Sequence, residues 1–259
     1  MVAIFSIRLD ETGTDGMSPY TVLGGAVATV PQWDSLEQAW AKLLRTNRIS
    51  AFHAREFNER HGEFSEWGTF KRKRFADAQK KIVNKNTVFR VSVGIESAVH
   101  QNIKKRMKGI KGFRPDSDYS LCLRYLMFLA CEELEKLAPD FHVTIMLENG
   151  PWASGAVETY HRISQMTGKW KPAKHAHRLA GIDVLEKGES LTLEAADYLV
   201  DIAHRRMLDG KFQKADGAQS QILLTEPFLE QWYQGMLAEK EVRREYGRSR
   251  SKEQTDGGN

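Results

Sequence analysis

Cysteine is nearly missing from this 259-residue chain: there are two, Cys122 and Cys131. Both fall in a stretch of helical pattern, where a separation of nine residues turns them to nearly opposite faces, too far apart to bridge. A disulfide framework and a cysteine-rich zinc site are therefore excluded, and both thiols read as core groups. Nor is there any run approaching the ~20 apolar residues of a membrane span. The apolar start, Val2 to Leu9, contains Arg8 and is followed at once by Asp10. That is no secretory signal, so a cytoplasmic protein without a membrane role is expected. Internal repeats are lacking too, as is any linker that would divide the chain.

What is present fits a soluble globular domain, with 41% apolar and 28% charged residues. The net charge of +4 is small, but its distribution is uneven. Residues 71–74 read KRKR, 104–114 read KKRMKGIKGFR without an acid, and 169–178 read KWKPAKHAHR around a tryptophan. Clustered cations neutralise phosphate backbones, and an interleaved aromatic ring can stack on a base. Lys71, Arg72, Lys104, Lys105, Arg106, Lys108, Lys111, Lys169, Lys171 and Lys174 are accordingly the candidate nucleic-acid contacts. The competing reading is a set of solvated surface faces.

Val2 to Leu9 and Tyr20 to Val30 are rich in Val, Ile and Thr and read as two strands joined by a polar, Gly-containing loop. Pro31 opens a helical pattern with Trp33, Leu36, Trp40 and Leu43 on one stripe. FHAREFNERHGEFSEW shows no clear period, and residues 69–84 read as a further helix. TVFRVSVGIES alternates as a strand, and the basic segment 104–114, with two glycines, reads as a mobile loop before Pro115. Asp118 is placed to cap a long, mostly apolar helix that Pro139 ends. A strand HVTIMLEN, a helix from Gly150, a strand at 180–185, an apolar helix LTLEAADYLVDIAHRRML and a last helix over 226–246 complete the pattern. Residues 247–259, glycine-rich and charged, read as a disordered tail. A leading strand pair followed by strand–helix alternation implies one α/β domain over 1–246 with a mixed sheet.

Acids stand at informative places in this pattern. Asp10 and Glu11 end the first strand in LDETG, and Glu148 ends HVTIMLEN. Sites in α/β sheets gather at carboxyl ends of strands, so Asp10 and Glu148 share a rim if those strands are neighbours. In LTLEAADYLVDIA, Glu194, Asp197 and Asp201 recur at i, i+3 and i+7, one narrow stripe of like charges without a cation among them. A divalent cation turns that repulsion into attraction. Asp197, in an apolar setting, reads as a ligand, whereas Asp201 reads as the wet edge of the helix. His53 and Glu56, at i and i+3 in FHAREF, form a candidate acid–base pair, although a histidine is more often a hydrogen-bonded structural group.

LDETG, LGGAV, the W-x6-W helix, FHAREF and LEAADYLV, in that order, resemble the DUF3800 family, which typically carries D-E-S-G, H-x-x-E-F and L-Q-x-A-D motifs. The match spans roughly residues 5–205. Thr12 stands where Ser is usual and Glu194 where Gln is usual. The resemblance implies a ribonuclease H-like fold, a mixed sheet flanked by helices with extra helices. It points to Asp10 and Glu11, to His53 and Glu56, and to Asp197; Glu148 rests on its strand end alone. The function expected is a divalent-metal-dependent nuclease acting on DNA or RNA. Asp10, Glu148, Asp197 and Glu194 would hold Mg²⁺ or Mn²⁺, with His53 assisting proton transfer. Glu11 stays open between ligand, a group orienting one, and solvent. The alternative is a nucleic-acid-binding protein on the same fold without catalysis.

Overall fold

The computed structural model describes residues 2–111, 113–166, 171–186, 188–211 and 219–238, the side chains of 171–173 and 219 aside. Lys169, the side chain of Lys171, the end of the last expected helix and the tail at 247–259 lie outside the described residues. The strands are β1 (Ala3–Thr12), β2 (Tyr20–Ala28), β3 (Phe89–Glu96), β4 (Phe141–Glu148), β5 (Leu179–Leu185) and β6 (Gln219–Leu224). They form one mixed sheet in the order β5-β4-β1-β2-β3-β6. β2 alone runs against the rest: it is antiparallel to β1 and β3, while β1–β4, β4–β5 and β3–β6 are parallel.

Helices cover both faces, giving the helix-flanked mixed α/β sheet that the resemblance implied. On one face lie α5 (Asp118–Leu137) and α6 (Ala153–Ser164), with helix α8 over residues 226–238. They pack on Phe5, Ile7, Leu9, Val91, Val93, Val143 and Ile145, the alternate residues of their strands. The other face carries α1 (Val30–Asn47), α2 (Ala54–Glu59), α3 (Thr69–Asn86) and α7 (Leu191–Leu208). Its core is aromatic: Phe52 touches the rings of Trp40, Phe57, Phe64, Phe75 and Tyr198. The buried stripe of α1 is Trp33, Leu36, Trp40 and Leu44, with Leu43 only partly covered.

Several expectations are corrected. β1 does not stop at Leu9 but pairs with β2 through Thr12, so Asp10 and Glu11 lie inside the strand. Gly13, at φ +73°, is where the chain turns. Residues 104–107 are the last turn of α4 (Ser97–Met107), not loop. The unperiodic FHAREF stretch contains α2 and a 3-10 turn, Gly62–Phe64. Ser117, not Asp118, caps α5, accepting from the Ser120 amide at 3.0 Å. β6 was not expected at all. Cys122 and Cys131 are free and buried, and burial raises both thiol pKa values, that of Cys131 to about 12.

Candidate metal centre

The neighbour relation between the first strand and HVTIMLEN holds: β1 and β4 pair in parallel up to Leu9 and Leu147. Asp10 and Glu148 are the next residue of each strand. Since Leu9 and Leu147 bury toward α5, Asp10 and Glu148 turn to the α7 face. Glu11 turns the other way.

What brings α7 over them is small residues in β2. Asp10 stands opposite Gly24. A Cβ built on Gly24 would lie 3.1 Å from the Ser92 Cβ and 3.6 Å from the Val200 Cα. The missing side chain thus lets the backbone of α7 approach the sheet. Ser190 caps the helix, and Arg8, two residues before Asp10 on the same face, donates from Nε to Thr192 Oγ1 at 3.0 Å. The first turn of α7 is thereby tied to β1.

The acidic stripe of α7 holds the FHAREFN segment. Glu194 Oε2 accepts from the Phe52 amide at 3.0 Å and from Trp40 Nε1 at 2.9 Å. Asp197 Oδ2 accepts from the Ala54 amide at 2.8 Å, and Asp201 Oδ1 accepts from Asn58 Nδ2 at 2.8 Å. The Phe52 and Ala54 donors are backbone amides of the loop before α2 and of its first turn, which has no internal partner for them, while Trp40 and Asn58 donate from their side chains. Among the described residues Asp201 also pairs with Arg205 at 2.6 Å. Glu194 Oε1 and Asp197 Oδ1 make no such bond among the described residues.

The outcome is a cavity of about 110 Å³ lined by Asp10, Glu148, Glu194, Asp197 and His53 together with Ser190. At ~30 Å³ per water, that is room for three or four waters, or for ions stripped of most of their hydration, not for a base. Four carboxylates in so small a space oppose each other's ionisation. The Asp10 carboxyl is held well above the usual range, first by burial, then by the charges of Asp197, Glu11 and Glu148. Burial pushes Asp197 up to about 6 despite the Ala54 amide, with Asp201, Glu148 and Glu194 adding to it. Glu194 is raised by burial and by Glu148, and Glu11 is raised to about 7 by the same two causes.

No family model and no curated protein matches the chain. Among solved structures it is similar to Bst-RNase HIII in complex with Mn²⁺, at 14% identity and a TM-score of 0.41 over 84% of this chain and 59% of that one. A single-residue mutant of Bst-RNase HIII is matched at 14% identity and a TM-score of 0.40, over 84% and 58%. The chain thus spans about three-fifths of the length of these structures.

Of the expected site residues, Asp10, Glu148, Asp197, Glu194 and His53 come together. Glu56 does not: it is exposed, and its carboxylate lies near Gly62. Glu11 is near in charge but does not line the cavity. His204 was missed. Two turns beyond Asp197, its Nε2 lies 2.7 Å from Ser18 Oγ. It lines a second cavity of about 490 Å³ that shares Asp197 with the first. Only its spacing from Asp197 pointed to it.

Another group of metal-ligating atoms is more compact. Ligand atoms of Glu132, Glu135 and His175 all lie within 4.8 Å of one another, and no other such trio occurs among the described residues. It carries its own cation, however: Lys174 stands 2.6 Å from Glu135 and 3.8 Å from Glu132, and His175 Nε2 is 2.7 Å from Glu132. That is a satisfied ion-pair network. Among the described residues Asp10, Glu148, Glu194 and Asp197 form no ion pair with a Lys or Arg. As an all-oxygen donor set they suit a hard divalent cation.

Of the basic clusters, two are in part neutralised among the described residues. Lys104 pairs with Asp118 at 3.3 Å, and Arg106 with Glu226 and Glu230 at 2.7 and 2.6 Å. Lys174 pairs as above, and Arg178 with Asp140 at 2.9 Å. Lys105, Lys108 and Lys111 are exposed. Arg72 is half-buried over Phe57, its Nη2 donating to the Asn58 carbonyl, so it is a packing group. Lys71 remains exposed.

Proposed function

We propose that the chain is a divalent-metal-dependent nuclease in which Asp10, Glu148 and Asp197, with Glu194 beside them, hold Mg²⁺ or Mn²⁺. The observation that carries this reading is the charge surplus of the 110 Å³ cavity: four carboxylates, raised affinities for protons, and no Lys or Arg among the described residues that line it. Bound ions would supply a hydroxide nucleophile at neutral pH and stabilise the departing 3′-oxygen of a phosphodiester. The protein's part is positioning. Asp10 and Glu148 present oxygens from adjacent strands, and Asp197 closes the set from α7 with Oδ1. His53, half-buried at the N-cap of α2, stands at the cavity wall where it can pass a proton to or from the reacting oxygens. The cavity is too small for a nucleotide, so the scissile phosphate sits at its mouth and the flanking nucleotide in the larger cavity with His204.

Membership of the DUF3800 family belongs to the same proposal. Its support is spatial: LDETG, FHAREF and LEAADYLV each contribute to the wall of one cavity, and LGGAV supplies the glycine beneath α7. A second reading has its own observation. Glu194, Asp197 and Asp201 each accept from the FHAREFN segment, as purely structural clamps would, leaving a nucleic-acid-binding protein without catalysis. Asp10 makes no such clamp and separates the two. Labelled single-stranded, duplex and hybrid oligonucleotides are incubated with Mg²⁺, Mn²⁺ or EDTA, using wild type and Asp10→Asn. Metal-dependent cleavage lost by at least 100-fold in the variant supports the nuclease; binding without cleavage in both supports the second reading.

A further inference from the structure

Phe70 is 74% exposed in the first turn of α3, and no other aromatic side chain of the described residues is similarly bare. It borders a groove of about 400 Å³ between α1 and α3, walled by Leu43, Thr46 and Asn47 on one side and by Lys71 and Arg74 on the other. The Arg74 guanidinium lies 5.8 Å from the Phe70 ring centre, and the Lys71 ammonium sits 3.8 Å over the Trp67 ring. Lys71, Lys73 and Arg74 are exposed, as are Lys42, Arg45 and Arg48 of α1 and the residue after it. None of these six cations makes an ion pair with the described residues, whereas in the other two clusters Lys104, Arg106, Lys174 and Arg178 are held by acids. This is an uncompensated positive surface, and unlike the exposed Lys105, Lys108 and Lys111 it surrounds a bare aromatic ring.

Its place relative to the acidic cavity is set by one short segment. Thr46 and Asn47 wall the groove, and Ala51, Phe52 and His53 wall the cavity. Three residues separate Asn47 from Ala51, a span of four Cα steps, so these walls are at most ~14 Å apart along the chain. A strand lying across the cavity mouth reaches the groove within a few nucleotides.

We propose that the α1–α3 groove binds an unpaired stretch of the substrate strand, with one base stacked on Phe70 and the adjoining phosphates on Lys71, Lys73 and Arg74. Stacking needs a free base face, which a duplex does not offer, so the groove favours single-stranded over double-stranded nucleic acid. The phosphates meet unpaired cations, which release counterions on contact and make binding salt-dependent. The proposal rests on the nucleic-acid reading above and adds to it which strand form is held and by what.

The test is fluorescence anisotropy in EDTA with a labelled 20-nucleotide homopyrimidine strand and a 20-base-pair duplex. Wild type, Phe70→Ala, Phe70→Trp and the double variant Lys71→Gln/Arg74→Gln are compared at several salt concentrations. Phe70→Ala is expected to weaken single-strand binding by about 5- to 100-fold, the range of one stacking contact, and duplex binding less than 2-fold. Phe70→Trp restores it, and the double variant lowers the single-strand salt slope by about 1.4, or ~0.7 per lost phosphate contact. Equal losses on both forms for Phe70→Ala, or no loss, overturn the groove while leaving the nuclease standing. A wild type that neither binds nor cleaves any nucleic acid overturns the underlying reading and the groove with it.

Discussion

Asp10 is the residue on which the most depends, and its surroundings imply that it costs stability in the metal-free protein. Its carboxyl is enclosed and faces Asp197 and Glu148. Asp10→Asn removes one charge from that cluster and should raise the metal-free melting temperature at pH 7.5 by about 2–4 °C, on the order of 1 kcal/mol in a domain of this size. The same variant should lose the temperature gain that Mn²⁺ confers on wild type; differential scanning fluorimetry with and without metal reads both. The sign of the pH dependence follows from the raised values. Asp197 at about 6 and Glu11 at about 7 bind protons more tightly folded than unfolded. Their contribution is therefore fully present below pH ~4 and lost as pH rises toward 7. Melting temperatures in EDTA should fall across that window, and the gain on adding Mn²⁺ should grow across it as metal displaces protons. At this scale the site was legible wherever an acid stood against its local trend, as with Asp10 at the end of an apolar run and Asp197 in EAADYLV. Glu56 misled because α2 is only six residues long, and its i+3 position points to solvent. His204 carried no pattern of its own.

Among the elements, α7 and the FHAREF segment decide whether the acids meet. Gly24→Val would place a branched side chain where the α7 backbone passes. The helix must move away from β1, so the variant should weaken Mn²⁺ binding at least tenfold while far-UV circular dichroism changes little. Phe52→Ala removes a ring buried at 1% exposure among five other aromatic rings. A loss of ~3–5 kcal/mol is expected, read as a fall in melting temperature of about 10 °C or more. Because Phe52 precedes His53, cleavage should drop further than the unfolded fraction explains. Most elements were readable from period alone, since long helices such as α5 and α7 bury wide apolar faces. The misses have local causes. LDET continues as strand because the two glycines of β2 lie opposite Leu9 and Asp10 and leave room for it. α4 reaches Met107 because its first breaker is Gly109. The QSQILL of β6 shows no alternation, being a short strand added in parallel beside β3.

Over the whole molecule, the parallel pairing of β1 with β4 and the packing of α7 across β1 and β2 gather acids from three distant parts of the chain. No sequence spacing reports such a meeting; only the strand-end rule anticipated it, and it left the neighbour relation to be observed. Charge is sorted at the same scale: Lys104, Arg106, Lys174 and Arg178 are paired within the fold, whereas the described cations around the α1–α3 groove are not. Arg106→Gln and Lys174→Gln should therefore leave oligonucleotide affinity and its salt slope within 2-fold of wild type. The account stands most directly on where a divalent cation binds. Mn²⁺ binding followed by electron paramagnetic resonance at pH 7.5, in wild type, Asp10→Asn and Glu132→Gln, separates the two carboxylate clusters. Wild type and Glu132→Gln should bind alike, and Asp10→Asn at least tenfold more weakly. Undiminished binding by Asp10→Asn, with binding lost in Glu132→Gln, would place the metal at the wrong end of the molecule and contradict the account.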